Sequence, residues 1–331
     1  MGIQRIIALK RNGRYENPCV GRFASDGGGI FMTWQQVVED VLKEAPGIFG
    51  IAAMHLETGE TAGHLDEELF QLASAFKIPI MVTMMREVEA GRIRLDQRVT
   101  LKWEDRVPGS GILQELDAGA ALTVKDLATL MTIVSDNYAT DQILELIGGI
   151  DKVNEHMHEL GLSQIHLRHN CWELLNHCVG MNEPAPSQAG FDEFMRREES
   201  GNYELLHDVS MPTRDNNVAT PSELNRLLIM IARKEILTEA SCELMLDIMR
   251  RQHYNSRLPY LLPEGTKVAH KTGTVNAVVN DAGIIYLPEE KGMVAITALS
   301  RDVTDTEAAE LTIARVAKAI YEQAINVRTA D

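Results

Sequence analysis

Strand-forming segments stand at both ends of this chain, and helical patterns fill the stretch between them. That segregation sets the fold class as α+β. Thr33 caps an amphipathic helix over 34–44, with Val37, Val38 and Val41 on one face and Pro46 beyond it. Residues 48–56 read as a strand, Glu57-Thr58-Gly59-Glu60 as a turn, and 61–65 as the returning strand of a hairpin. A long helix follows over 75–90, with Pro79 in its opening turns and Gly91 at its close. Thr123 with Asp126 caps another. Helical segments continue to Leu146 and over 151–160. Residues 165–218, with Pro184, Pro186 and Pro212, read as one long irregular loop. Thr220-Pro221 opens the next helix, and 238–251 forms one more. Strands over 267–273, 282–287 and 293–300 then precede a last helix over 305–324.

Three short motifs are spread along this layout: Ser74-Ala75-Phe76-Lys77, Ser135-Asp136-Asn137 and Lys271-Thr272-Gly273. An S-x-x-K arises by chance in many chains, but S-D-N and K-T-G are rare. All three in this order supply a serine nucleophile, two amines, a second hydroxyl and an amide. That is the equipment for making and breaking an acyl-serine ester without a histidine base. The set resembles that of the class A β-lactamases and penicillin-binding proteins, and the resemblance runs from about Thr33 to the C-terminus. It implies an antiparallel sheet built from both chain ends and flanked by the terminal helices, plus an all-helical domain. On this chain the sheet domain would take residues 32–72 and 222–331, and the helical domain 73–221 with the long loop 165–218. The site would lie in the cleft between them.

Ser74 is the expected nucleophile. At a helix N-terminus the backbone donors favour charge developing there. Lys77 shares its helix face and becomes a base only if its pKa falls, through burial and a second cation such as Lys271. Ser135 would relay a proton to the leaving group, Asn137 would bind the acyl amide, and Asp136 would anchor its own turn. Strand alternation puts Lys271 and Gly273 on the cleft face, with His270 and Thr272 opposite. His270 is expected to be packing. The resemblance implies an oxyanion hole from the Ser74 and Thr274 N–H groups, and makes Thr272 and Thr274 hydroxyls candidates for a substrate carboxylate, which requires the strand to twist or the hydroxyl to reach round its edge. Arg301 is the arginine candidate for that carboxylate, and Pro108-Gly109-Ser110-Gly111-Ile112 for a cleft wall.

Class A enzymes activate the deacylating water with a loop glutamate. Arg168-His169-Asn170-Cys171-Trp172-Glu173-Leu174-Leu175-Asn176 resembles that loop, one residue short and without its proline. Glu173 is either that base or a solvated glutamate on a helical turn. Whether Lys77 or Glu173 drives acylation stays open. His169, Cys171, His177 and Cys178 have no recognised metal spacing; no metal or cofactor is expected.

The 331 residues suffice for a large core. Net charge is −16, which argues against nucleic acid or an anionic membrane as partner. No run approaches the ~18 apolar residues of a membrane span. The first residues carry basic side chains after a short apolar stretch, the wrong order for a signal peptide. Cys19, Cys171, Cys178 and Cys242 show no disulfide-framework spacing. These features place the chain in the cytoplasm with reduced thiols. Residues 1–31 end in a glycine run before Met32 and read as a leader or extension to a fold that starts there.

The leading expectation is a serine hydrolase acting on an amide or lactam carbonyl, with β-lactam hydrolysis the first choice. The alternatives are an intracellular amidase, esterase, D-peptidase or transacylase on the same scaffold, or a catalytically silent binding protein.

Overall fold

The computed structural model describes residues 32–205 and 208–326. The leader expected over residues 1–31 lies outside the described residues. Helix α1 (Trp34–Leu42) precedes the hairpin β1 (Ile48–His55) and β2 (Thr61–His64). The short strand β3 (Phe70–Gln71) leads into a 3₁₀ turn, Ala73–Phe76, and then helix α2 (Lys77–Glu89). The middle of the chain holds β4 (Arg98–Thr100), β5 (Ala121–Thr123), α3 (Val124–Ile133), α4 (Asn137–Ile147) and α5 (Ile150–Glu159). It continues through α6 (Cys171–Cys178), α7 (Gln188–Ser200), β6 (Val218–Ala219), α8 (Pro221–Ala232) and α9 (Glu239–Arg250). Strands β7 (Val268–Val275), β8 (Val278–Tyr286) and β9 (Met293–Arg301) then precede helix α10 (Thr306–Ala324).

The main sheet has five antiparallel strands in the order β2-β1-β9-β8-β7. The N-terminal pair β2-β1 therefore lies beside the C-terminal β9-β8-β7, joined through β1 and β9, and β7 forms an edge. Side chains alternate across a strand, and β9 shows the consequence. Val294, Ile296 and Ala298 pack with Trp34 and Val38 of α1 and Ile313 and Ile320 of α10. Ala295 and Leu299 point the other way, into a core shared with Leu224, Leu227 and Leu228 of α8 and with the helical middle. Both faces of the sheet are covered, so β9 is apolar almost throughout. Among the described residues no helix is long and apolar enough to cross a membrane.

The caps form as the sequence predicts: Thr33 and Thr123 each make a reciprocal capping box, and Thr220 caps α8 with proline behind it. Two expectations fail. Residues 165–218 are not one irregular loop, because Asn170 caps α6 and Ser187 caps α7. The prolines at 184 and 186 lie between those helices rather than inside one. Strand β8 starts at Val278, four residues ahead of the expected 282. Its polar Asn280 and Asp281 look like turn residues, yet both are fully buried with partners: Asn280 donates to the carbonyls of Gln71 and Leu72.

Candidate active site

Ser74 sits in the 3₁₀ turn directly before α2, and Lys77 is the first residue of that helix. Ala73 holds a φ of +45°, a left-handed conformation that is strained for alanine. The turn is locked by Ala73 N–H donating to Gln71 Oε1 and by Ala75 N–H donating to Leu72 O. Gly273 on β7 comes so close that a Cβ there would stand 2.7 Å from Leu72 O and 3.0 Å from the Ser74 nitrogen. Glycine at 273 is thus what lets the strand edge meet the nucleophile turn.

Ser135 follows α3 and also lies left-handed, at φ +58°. Its oxygens collect both lysines. Lys77 Nζ donates to Ser135 O at 2.7 Å, to Ser135 Oγ at 3.1 Å and to Asn137 Oδ1 at 2.8 Å. Lys271 Nζ reaches Ser135 Oγ at 3.1 Å and Thr272 O at 2.7 Å. Both lysines are 1% exposed. Burial pushes the Lys77 pKa down, opposed by Cys171, Asp136 and Asp141 nearby. Burial drives Lys271 well below its ordinary value, and the Lys77 charge drives it further. Two ammonium groups cannot share one buried hydroxyl cheaply, so the arrangement disfavours both being charged at once, and Lys271 is the one driven further down.

The wall of this cleft is tied to the same turn. Asp136 accepts N–H bonds from Ile112 at 2.7 Å, Leu113 at 2.9 Å and Ala139 at 2.9 Å, so it caps α4 and holds residues 110–113 together. Asn137 N–H donates to Ser110 O, and Asn137 Nδ2 donates to Pro108 O. On β7, Thr272 is buried and Thr274 exposed. Thr274 Oγ1 accepts from Arg257, whose guanidinium also donates to Gly273 O and Asn280 O and pairs with Glu310.

Arg301 does not reach the cleft. It ends β9, with β8 between it and β7. It pairs there with Glu68 at 2.8 Å and lies over the Phe70 ring. Arg257 is the arginine at the K-T-G strand, and sequence reasoning missed it. It lies in an irregular stretch with no local pattern, and only the strand pairing reveals its partners.

Among the described residues Glu173 pairs with neither of the two lysines. It is the third residue of α6 and accepts the Asn170 N–H, completing a capping box. His169 beside it holds its carboxyl below the usual range. It lines an outer cleft of about 480 Å³ together with Asp105, Asp141 and Glu145. The loop residue beside Lys77 is Cys171, a buried thiol whose pKa is pushed up by burial. Asp141 anchors this segment by accepting the Cys171 and Trp172 N–H groups at 2.8 and 2.9 Å. Burial raises Asp141 to about 6. Leu175 comes up against Gly109, where Asn137 Nδ2 also lies. His169 and His177 stack edge to face at 4.7 Å. Among the described residues no group of His, Cys, Asp and Glu is arranged to hold a metal.

His270 points away from the cleft as expected, but it is not simple packing: both ring nitrogens are hydrogen-bonded.

Known proteins share this architecture. β-Lactamase VEB-1 of Pseudomonas aeruginosa is 26% identical over 300 residues, covering 87% of this chain and 89% of its own. A β-lactamase from Sphaerobacter thermophilus superposes with a TM-score of 0.71 at 26% identity, covering 90% of this chain and 98% of its own. A mutant of PBP-A, solved as its acyl-enzyme with penicillin G, gives 0.71 at 25% identity, covering 89% and 96%. The model of the β-lactamase enzyme family matches residues 33–324, nearly the whole described fold, and the chain belongs to that family.

Proposed function

We propose that this protein is a serine hydrolase that opens β-lactams through an ester on Ser74. One observation carries the reading: two buried lysines, from α2 and from β7, meet at 3.1 Å from the same Ser135 hydroxyl. In this reading Lys77 first gives up a proton to solvent together with one of its three donated hydrogen bonds, and the neutral amine then takes the Ser74 proton as the oxygen attacks the lactam carbonyl. The N–H groups of Ser74 and Thr274 receive the oxyanion. Ser135, held between the lysines, passes a proton to the leaving nitrogen as the C–N bond breaks. Asn137 holds the acyl side chain, and Thr272 and Thr274, backed by Arg257, hold a substrate carboxylate. The sheet unit is 32–72 with 222–331, and the helical unit is 73–221. The acidic chain gives nucleic acid or an anionic membrane no electrostatic attraction. The cysteine spacing fits a cytoplasmic setting.

A chromogenic cephalosporin followed by absorbance tests this, with Ser74→Ala alongside. Multiple turnovers lost in the variant are expected. Turnover near wild type in Ser74→Ala would remove the nucleophile assignment.

The position of Glu173 favours a second reading for the later half of the reaction. A thiol and a leucine, not a carboxylate, face Lys77 and Asn137 from the loop. In this reading the loop offers water no carboxylate base, and Asp141, a carboxyl near Lys77, is engaged by the Cys171 and Trp172 N–H groups, so the ester is long-lived, or passes to another acceptor as in a transacylase or D-peptidase. A burst of about one equivalent before slow turnover is expected. Linear turnover from the first second, abolished by Glu173→Gln, would restore Glu173 as the base.

A further inference from the structure

The polar cluster behind the Lys271 strand takes no part in the chemistry proposed above. His270 is 1% exposed and Asp281 fully buried. Nδ1 of His270 lies 2.9 Å from each carboxylate oxygen of Asp281, and Nε2 lies 3.1 Å from Asn255 Oδ1. The Asn255 amide is oriented by its own bond, since Nδ2 donates to Gln252 O at 3.0 Å. Turned over, it would set Oδ1 against that carbonyl, acceptor against acceptor. Both imidazole nitrogens therefore face acceptors. A neutral imidazole can donate only once, and the doubly protonated ring donates twice.

The cluster continues across the back of the cleft. Gln252 Nε2 donates to Thr132 O at 2.9 Å, and His253 N–H donates to Ile133 O at 3.0 Å. Gln252 Oε1 accepts the N–H groups of His253 and Tyr254. Thr132 and Ile133 end α3, two residues before Ser135. On the other side, Asp281 also accepts Leu258 N–H at 3.1 Å. A hydrogen-bonded path thus runs from β8 through His270, Asn255 and Gln252 to the turn that carries Ser135. It passes through neither lysine. Gly283 makes room for it, since a Cβ there would stand 2.5 Å from the His270 Cβ.

The path joins the two sides whose separation sets the chemistry. Strand β7 brings Lys271, and the end of α3 brings Ser135. Small displacements of such groups cost large factors in rate. The charged group against the ring is Asp281 on β8, which also acts on Lys271 from behind β7, as does Arg257, paired with Glu310 of α10. We propose that His270 is a positioning residue: a doubly protonated imidazole that ties the Lys271 strand to the Ser135 turn through Asn255 and Gln252.

The ring state is read without any substrate. In ¹⁵N-histidine-labelled protein at neutral pH, both His270 nitrogens are expected in the protonated range, assigned by difference from His270→Gln. One protonated and one bare nitrogen would overturn the proposal. The coupling is read from acylation, and this part rests on the acyl-serine reading. His270→Gln and Gln252→Ala are each expected to slow acylation at saturating substrate by about 10–100-fold while substrate affinity holds. Because both cut one path, the double variant should be no slower than the worse single. Unchanged rates, or losses that multiply, would overturn it. Should a variant fail to fold, the wild-type spectrum still decides. A wild-type protein that forms no acyl-enzyme sinks the acyl-serine reading instead, and the ring spectrum remains the test of this one.

Discussion

Lys77 and Lys271 share one hydroxyl, and that fixes how the site responds to acid. A buried lysine with a lowered pKa binds its proton less well folded than unfolded. The unfolded chain then carries the extra protons, so stability falls as pH drops from the ordinary lysine range toward the lowered one. On the proposed reading acylation depends on the same group, because there the neutral amine of Lys77 takes the Ser74 proton. The acid limb of the acylation rate should therefore lie below the ordinary lysine range. Lys77→Arg stays charged at every accessible pH and should slow acylation by about 10²–10⁴-fold. Stopped-flow acylation across pH measures both, and a Lys77→Arg variant acylating at wild-type rate would dismiss the amine as base. Ser74, Lys77, Ser135 and Lys271 stand out in the sequence because each sits in a short motif at fixed spacing, and the structure brings the last three together. Glu173 was not legible as a cap. Its direction follows the phase of α6, and at about 100° per residue Cys171 and Glu173 point to nearly opposite sides. Asn170 sets that phase by capping the helix. Arg257 carried no pattern at all, because its partners are backbone carbonyls on two strands.

Asp136 shows how one side chain at the start of an element organises the wall opposite. Its carboxylate satisfies the first turn of α4 and two amides of the 110–113 segment. Asp136→Ala should leave buried N–H groups unpaired, at about 1–3 kcal/mol for each that water cannot reach. The expected outcome is a loss of about 3 kcal/mol or more in urea unfolding, together with a drop in acylation, because Asn137 and Ser135 share that turn. A variant as stable as wild type would mean the wall is held by other contacts. Gly111 supports the same dependence: a Cβ there would stand 2.3 Å from the Asp136 carboxyl carbon. The long helices were legible through caps and periodicity, as in α3 and α8. The pairs β3 with β6 and β4 with β5 were not. Strands of two or three residues have no period to read, and tertiary pairing alone defines them.

At the scale of the molecule, the sheet separates the chemistry from a second core. The layer of α1 and α10 packs on one face, and Ser74, Lys77 and the helical middle lie on the other. Trp34 is the largest side chain of the outer layer, 1% exposed, and its Nε1–H has no hydrogen-bond partner among the described residues. Its ring contributes apolar burial, while the orphan donor offsets part of that gain. Trp34→Phe removes the donor and keeps much of the ring, so it should cost under about 2 kcal/mol. Trp34→Ala removes the whole ring and should cost about 3–5 kcal/mol. Urea unfolding followed by circular dichroism gives both values. Neither substitution touches the Lys77–Ser135–Lys271 cluster, so the folded fraction of each variant should acylate at the wild-type rate. A rate loss in Trp34→Ala that exceeds its unfolded fraction would mean the two faces of the sheet are coupled. The strands β8 and β9, which contribute side chains to both cores, would then carry strain from the outer layer to the cleft.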